Sequence, residues 1–206
     1  MTITFKKIID LLCIDAPIQL TPKEKLDKTN YVFCKIMGEE ESKARLDGTH
    51  NKESDYDTSD VGLHFPDIDI DIYEYYKLEE ARNSVGINAC IEELSNQTII
   101  LIEEIPIVWA IYSVLHEYGH WLHFNNSNLT SFEYCEKERI ERQPYEKTAR
   151  EIYEMPDWDP AKFHLAKRYH LEIYSQFTSE KYANEYAKKH FLEALETVRK
   201  HLANLK

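Results

Sequence analysis

Two histidines four residues apart, His116 and His120, bracket Glu117, Tyr118 and Gly119. On a helix such positions lie on one face about one turn apart, so both imidazoles can reach a single metal ion. The glutamate beside the first histidine is then placed to act on a water at that metal, and zinc-dependent hydrolases use this H-E-x-x-H spacing. Apart from Glu117, no Asp, Glu, Lys or Arg lies between Ile105 and Phe124, and Pro106 fits the first helical turn, where its missing N–H does no harm. A helix apolar nearly all round belongs in a core. A His-Glu-His cluster there is costly unless its groups find partners, and a metal is the natural one. The plainer reading is a pair of core histidines bonded to backbone.

Catalytic zinc takes three protein ligands and keeps a fourth position for water, so a third ligand must come from elsewhere in the chain. The best candidate is Glu180, which shares a helical face with Ala183, Asn184 and Ala187. The small alanines allow close packing on the histidine helix. Asn184, one turn beyond Glu180, is placed to accept a bond from the ring N–H of a ligating histidine. Glu146 also stands in an E-x-x-A stretch, but with Arg150 where Glu180 has Asn184, and Cys90 is a thiolate alternative. His123, on the face of His116 and His120, could contact substrate or support the site from behind.

These residues need elements to hold them. Residues 4–13 read as a short helix, followed by a polar stretch with Pro17 and Pro22. Residues 38–60 are charged and poor in large apolar side chains, the composition of an exposed loop or disordered linker. Pro66 to Tyr73 alternates polar and apolar, predicting a half-buried strand whose aspartates form a solvated face; the glycine and distal glutamate of a calcium loop are missing. Val85–Ile91 and Thr98–Ile102 read as further strands, parted by a turn at Ser95-Asn96. After the motif helix, Asn125 to Asn128 break the pattern. Residues 131–142 read as a solvated helix face, and Pro144 and Pro156 bracket a shorter helix. Asp159-Pro160 starts a helix carrying Phe163, Ala166, Tyr169, His170, Ile173 and Phe177 on one side. Thr178 or Ser179 would cap the last helix, whose stripe is Phe191, Leu195, Val198, Leu202 and Leu205. No internal repeat is present.

The chain has 206 residues, enough for one domain with a substantial core. A net charge of −12 argues against a nucleic-acid partner, which calls for a basic patch. Cys13, Cys34, Cys90 and Cys135 are scattered, as expected of reduced thiols in a cytoplasmic protein. Asp10 and Asp15 interrupt any secretory leader, and the apolar run near residues 105–115 is too short for a bilayer, so no membrane partner is expected.

H-E-x-x-H followed by a helix reading Glu180-Lys181-Tyr182-Ala183-Asn184-Glu185-Tyr186-Ala187 resembles the glutamate-ligand branch of the zincin metallopeptidases. It looks most like the small ImmA/IrrE-type peptidases of bacterial mobile elements and phages, over roughly residues 84–192. The resemblance implies an α+β, zincin-like fold: a small antiparallel or mixed sheet packed on a buried active-site helix, with a mostly helical C-terminal half. Residues 81–206 would form the peptidase domain with a helical insert at about 128–175, and residues 1–80 an extension with an acidic linker packed on or beside the core. It implies Zn2+ held by His116, His120 and Glu180, with Glu117 as general base. Tyr174, His170 and Tyr182 are candidates to hold the developing oxyanion. The expected activity is amide hydrolysis in a protein or peptide. The alternatives are a zinc-bearing regulatory protein that binds a partner through segments 38–60 and 131–142, and a metal-free helical protein with a fortuitous motif.

Overall fold

The computed structural model describes residues 3–26, 32–70, 92–156 and 158–205. The chain is α+β, with a small mixed sheet and long C-terminal helices. Thr4 caps α1 (Phe5–Leu11), its side chain accepting from the Lys7 N–H at 3.1 Å, and the helix buries Phe5, Ile8 and Ile9. The sheet has strand order β1 (Ile18–Pro22), β3 (Gly62–Asp67), β2 (Phe33–Lys35). β1 runs parallel to β3, with Ile18 opposite Leu63, and β2 runs antiparallel to it, with Phe33 opposite His64. Gly62 adopts φ 138°, and a Cβ there would lie 2.4 Å from the Pro17 carbonyl oxygen, so only glycine admits the approach of β1.

Beyond α2 (Glu39–Leu46), the described residues include α3 (Ile105–Asn125), α4 (Ser131–Arg142), α5 (Glu146–Tyr153), α6 (Pro160–Glu172) and α7 (Thr178–Ala203). Pro106 lies at the start of α3, whose first three turns are almost wholly buried. A capping box between Thr130 and Glu133 starts α4, and the Asp159 side chain accepts from the Ala161 N–H at 2.8 Å to start α6, with Pro160 in its first turn. Ile3, Phe5, Ile8, Leu63 and Phe65 pack in one cluster with Val108, Ile111, Tyr112 and Leu115 of α3 and Phe191, Leu195 and Val198 of α7. Each large apolar side chain buried there contributes about 1.5–3 kcal/mol. Among the described residues no helix is long and apolar enough to cross a membrane.

Several expectations need correction. Residues 38–60 are not a bare loop: they contain α2, and polar pairs hold them to α4, with Arg45 Nη1 2.8 Å from Glu136 Oε1 and Lys52 Nζ 3.0 Å from Glu133 Oε1. Residues 98–101 are not a strand; Ile99 is 81% exposed. Side chains satisfy this backbone where a ladder would have, since Arg199 Nη2 donates to the Ile99 carbonyl at 2.7 Å and Glu104 accepts from the Leu101 N–H at 2.9 Å. The alternating burial of residues 67–70 is present, with Asp67 and Asp69 exposed and Ile68 and Ile70 buried, but the ladder ends at Asp67. Residues 71–73, the strand expected at 85–91, and Cys90 lie outside the described residues. Neither Thr178 nor Ser179 caps α7: the cap position is Phe177, and Glu141 of α4 takes the Thr178 N–H and hydroxyl, both at 2.8 Å. In the two expected stripes, Tyr169, Phe177, Phe191, Leu195 and Val198 are buried, whereas Phe163 and Leu205 are exposed.

Candidate metal centre

The pairing of α3 with α7 builds the site. His123 packs tilted against Tyr182, Tyr118 meets Tyr186 edge to face, and Glu104 pairs with Arg199, so the two helices run antiparallel. They cross closely at Gly119, where a Cβ would fall 2.7 Å from the Ala183 Cα. Only a residue without a side chain permits this crossing. His116 and His120 flank Gly119 on the helix, and Glu180 sits one turn before Ala183, so the crossing delivers all three functional groups to one point.

The three form a group that could hold a metal ion. Glu180 Oε2 lies 3.5 Å from His116 Nε2 and 3.5 Å from His120 Nε2, and the two nitrogens are 3.1 Å apart. Donor atoms about 2.1 Å from a tetrahedral ion stand about 3.4 Å from one another, so the triangle has the size of one face of such a site. Without an ion its contacts are poor: 3.5 Å exceeds a normal N–H···O bond, and two imidazole nitrogens at 3.1 Å both direct lone pairs or both direct protons at each other unless their tautomers differ. The residues present fit a divalent cation.

Electrostatics bear on the same groups. Burial alone would raise the Glu180 carboxyl, but the two imidazoles outweigh it and hold it well below the usual carboxylate range. Burial would lower His120, and the Glu180 carboxylate reverses this and raises it. The Glu117 carboxyl is pushed up by burial, against the lowering influence of His116 and His120. It accepts a hydrogen bond from the backbone of Cys34 in β2, which ties the sheet to the motif helix.

The other expected residues divide. Tyr174 reaches the site, where burial and then the Glu180 carboxylate raise its hydroxyl well above the ordinary value. His170 packs on Tyr174 with ring centroids 5.1 Å apart, feels the Glu180 charge, and is lowered mainly by burial. Tyr182 packs instead on His123, centroids 5.0 Å apart, and His123 Nδ1 lies 2.7 Å from the Tyr134 hydroxyl, giving it a supporting contact behind the site. Asn184 does not serve a histidine: its amide oxygen accepts from the Tyr112 hydroxyl at 3.0 Å. Each turn forward along α7 is a turn back along α3, so Asn184 faces the residue one turn before His116. His116 Nδ1 itself is buried with no partner among the described residues. Glu146 is exposed at the start of α5 and takes no part.

Sequence reasoning missed the contribution of α4. Tyr134, Glu138 and Arg142 follow one another at four-residue spacing along one face of that helix, turned towards the site rather than solvent. Burial and then the Glu138 charge raise the Tyr134 hydroxyl, Glu138 Oε1 is 3.9 Å from Arg142 Nη2, and that nitrogen donates to Glu180 Oε1 at 3.2 Å. The four-residue spacing was available as a signal, but seven charges in this segment matched a solvated face equally well. Comparison with protein-family models, curated proteins and solved structures gave no match.

Proposed function

We propose that this chain is a zinc metallopeptidase of the zincin type, hydrolysing amide bonds of a protein or peptide in the cytoplasm. The observation that carries the reading is the convergence of two imidazole nitrogens and one carboxylate oxygen at ligand spacing, with a glutamate next to the first histidine. Zinc on His116, His120 and Glu180 would supply a Lewis acid for the scissile carbonyl and bring the pKa of water towards about 7.

The remaining work falls to side chains. Glu117, its carboxyl raised by burial, is basic enough to take the proton of the attacking water and then deliver it to the leaving nitrogen. The Cys34 backbone bond keeps that carboxylate from swinging away. Tyr174 is raised well above its ordinary value, by burial first and then by Glu180, so its hydroxyl stays protonated and can donate to a developing oxyanion. His170, lowered by burial, is neutral at pH 7 and is a second candidate donor. Cys13, Cys34 and Cys135 are free thiols, which suits a reducing compartment.

The test compares wild type with Glu117→Gln on a proteome-derived peptide library. Wild type should cleave, and the variant should keep its zinc while losing about 10²–10⁴-fold in rate. Wild type that carries zinc and leaves the library intact would overturn the peptidase reading in favour of a metal-bearing protein that binds a partner.

A further inference from the structure

The resemblance leaves residues 128–175 as an insert, yet the end of α4 grips the first turn of α7 through two adjacent residues. Glu141 takes the N–H and hydroxyl of Thr178, and Arg142 Nη2 reaches Glu180 Oε1 at 3.2 Å. Glu180 is 4% exposed, so this oxygen has no recourse to bulk water. The Arg142 guanidinium lies over the rings of Tyr174 and Phe177, 5.4 Å from each centroid, and these fix its plane. The Tyr174 hydroxyl is raised well above its ordinary value by burial and then by the same nearby carboxylate. Arginine, resting on Tyr174 and Phe177, therefore holds Oε1 of Glu180, and Oε2 is the oxygen turned to His116 and His120.

The geometry points to Arg142, with Tyr174, as the positioning residues that fix Glu180 as a one-oxygen metal ligand, so that the inserted segment completes the metal centre. This rests on the metal reading of His116, His120 and Glu180. With Oε1 engaged, the carboxylate cannot close on the ion with both oxygens, and a coordination position stays open for water or substrate. Lysine at 142 would preserve the charge without the planar fork that rests on the two rings.

Co2+ and Zn2+ are titrated into full-length wild type, Arg142→Gln, Arg142→Lys and Tyr174→Phe, in competition with a chromophoric chelator. The visible absorption of bound Co2+ reports coordination number, and circular dichroism reports the folded fraction. Arg142→Gln should weaken binding about 10–100-fold per folded molecule and shift the Co2+ spectrum towards five-coordination. Arg142→Lys should recover part of the affinity, and Tyr174→Phe should move both readouts in the same direction by less. Wild-type affinity and spectrum in all three variants would overturn the clamp while leaving the metal centre standing. A wild-type chain that binds neither ion would overturn the metal centre and the clamp together. If Arg142→Gln does not fold, Tyr174→Phe decides: unchanged affinity and spectrum overturn the inference.

Discussion

Glu41 and Glu180 are both glutamates near the start of a helix, 8% and 4% exposed, yet their carboxylates meet different company. The Ser131 hydroxyl spans both oxygens of Glu41 at 2.9 and 2.8 Å, and His50 Nε2 stands 3.3 Å from Oε1. The His50 ring is stacked between Phe132 and Tyr56, so this carboxylate is closed in by groups that need nothing more. Glu180 has one oxygen held by Arg142 and the other facing two imidazole nitrogens, each too far for a good hydrogen bond. Burial is common to both. The convergence of donor atoms that do not satisfy one another marks only the second, and that distinction separates a carboxylate that fastens α2 to α4 from one that can take a ligand.

Paired substitutions break or sharpen this contrast. The largest difference should be in metal binding: Glu180→Ala loses stoichiometric zinc by equilibrium dialysis, while Glu41→Ala keeps one ion per chain. Retained zinc in Glu180→Ala would remove that residue from the site. Next comes the crossing that presents Glu180. Gly119→Ala places a methyl 2.7 Å from the Ala183 Cα, so urea melts should show a loss of about 1–3 kcal/mol together with weaker zinc binding. Glu41→Gln keeps the shape and one good acceptor for Ser131, and should cost about 1 kcal/mol in the same melts with zinc affinity unchanged.

The smallest expected effect is a pH dependence. His120 is raised above its ordinary 6.5 by Glu180, so the stability it lends the metal-free chain is full below that pH and is lost as pH rises through its folded value. Glu180 is held low, so its contribution is present above the ordinary carboxylate range and is lost as pH falls through its folded value. EDTA-treated wild type should therefore melt at progressively lower temperature above about pH 6.5. Added zinc, which competes with protons for the imidazoles, should reverse that trend. Glu180→Ala should flatten the curve and Glu41→Ala should not.

The cluster of His116, His120 and Glu180, which could hold a metal, was legible because each part rests on a local rule. Four-residue spacing put His116 and His120 on one face, and the alanines beside Glu180 advertised a close helix contact. Gly119, which makes that contact possible, lay in plain view inside the motif, but its partner Ala183 is 64 positions away and nothing local joins the two. Arg142 and Glu138 were hidden among charges, since which face of a polar helix turns inward is decided by what packs on it. Residues 38–60 misled for the same reason: hydropathy registers apolar burial, and this segment docks through Arg45, Lys52 and Glu41 instead. The reverse error fell on Ile99 and Ile100, whose β-branched side chains suggested a strand where Arg199 and Glu104 satisfy the backbone. Strands β1 and β2 are short, and β1 ends on Pro22, so period-two patterning had too few residues to register.

The most direct test of the central claim is the zinc content of the purified full-length chain, by mass spectrometry of the metal after dialysis against a small excess of zinc. The account predicts one ion per chain in wild type and none in the His116→Ala/His120→Ala double variant. A wild-type chain without zinc, or a double variant that still carries one ion per chain, would contradict it.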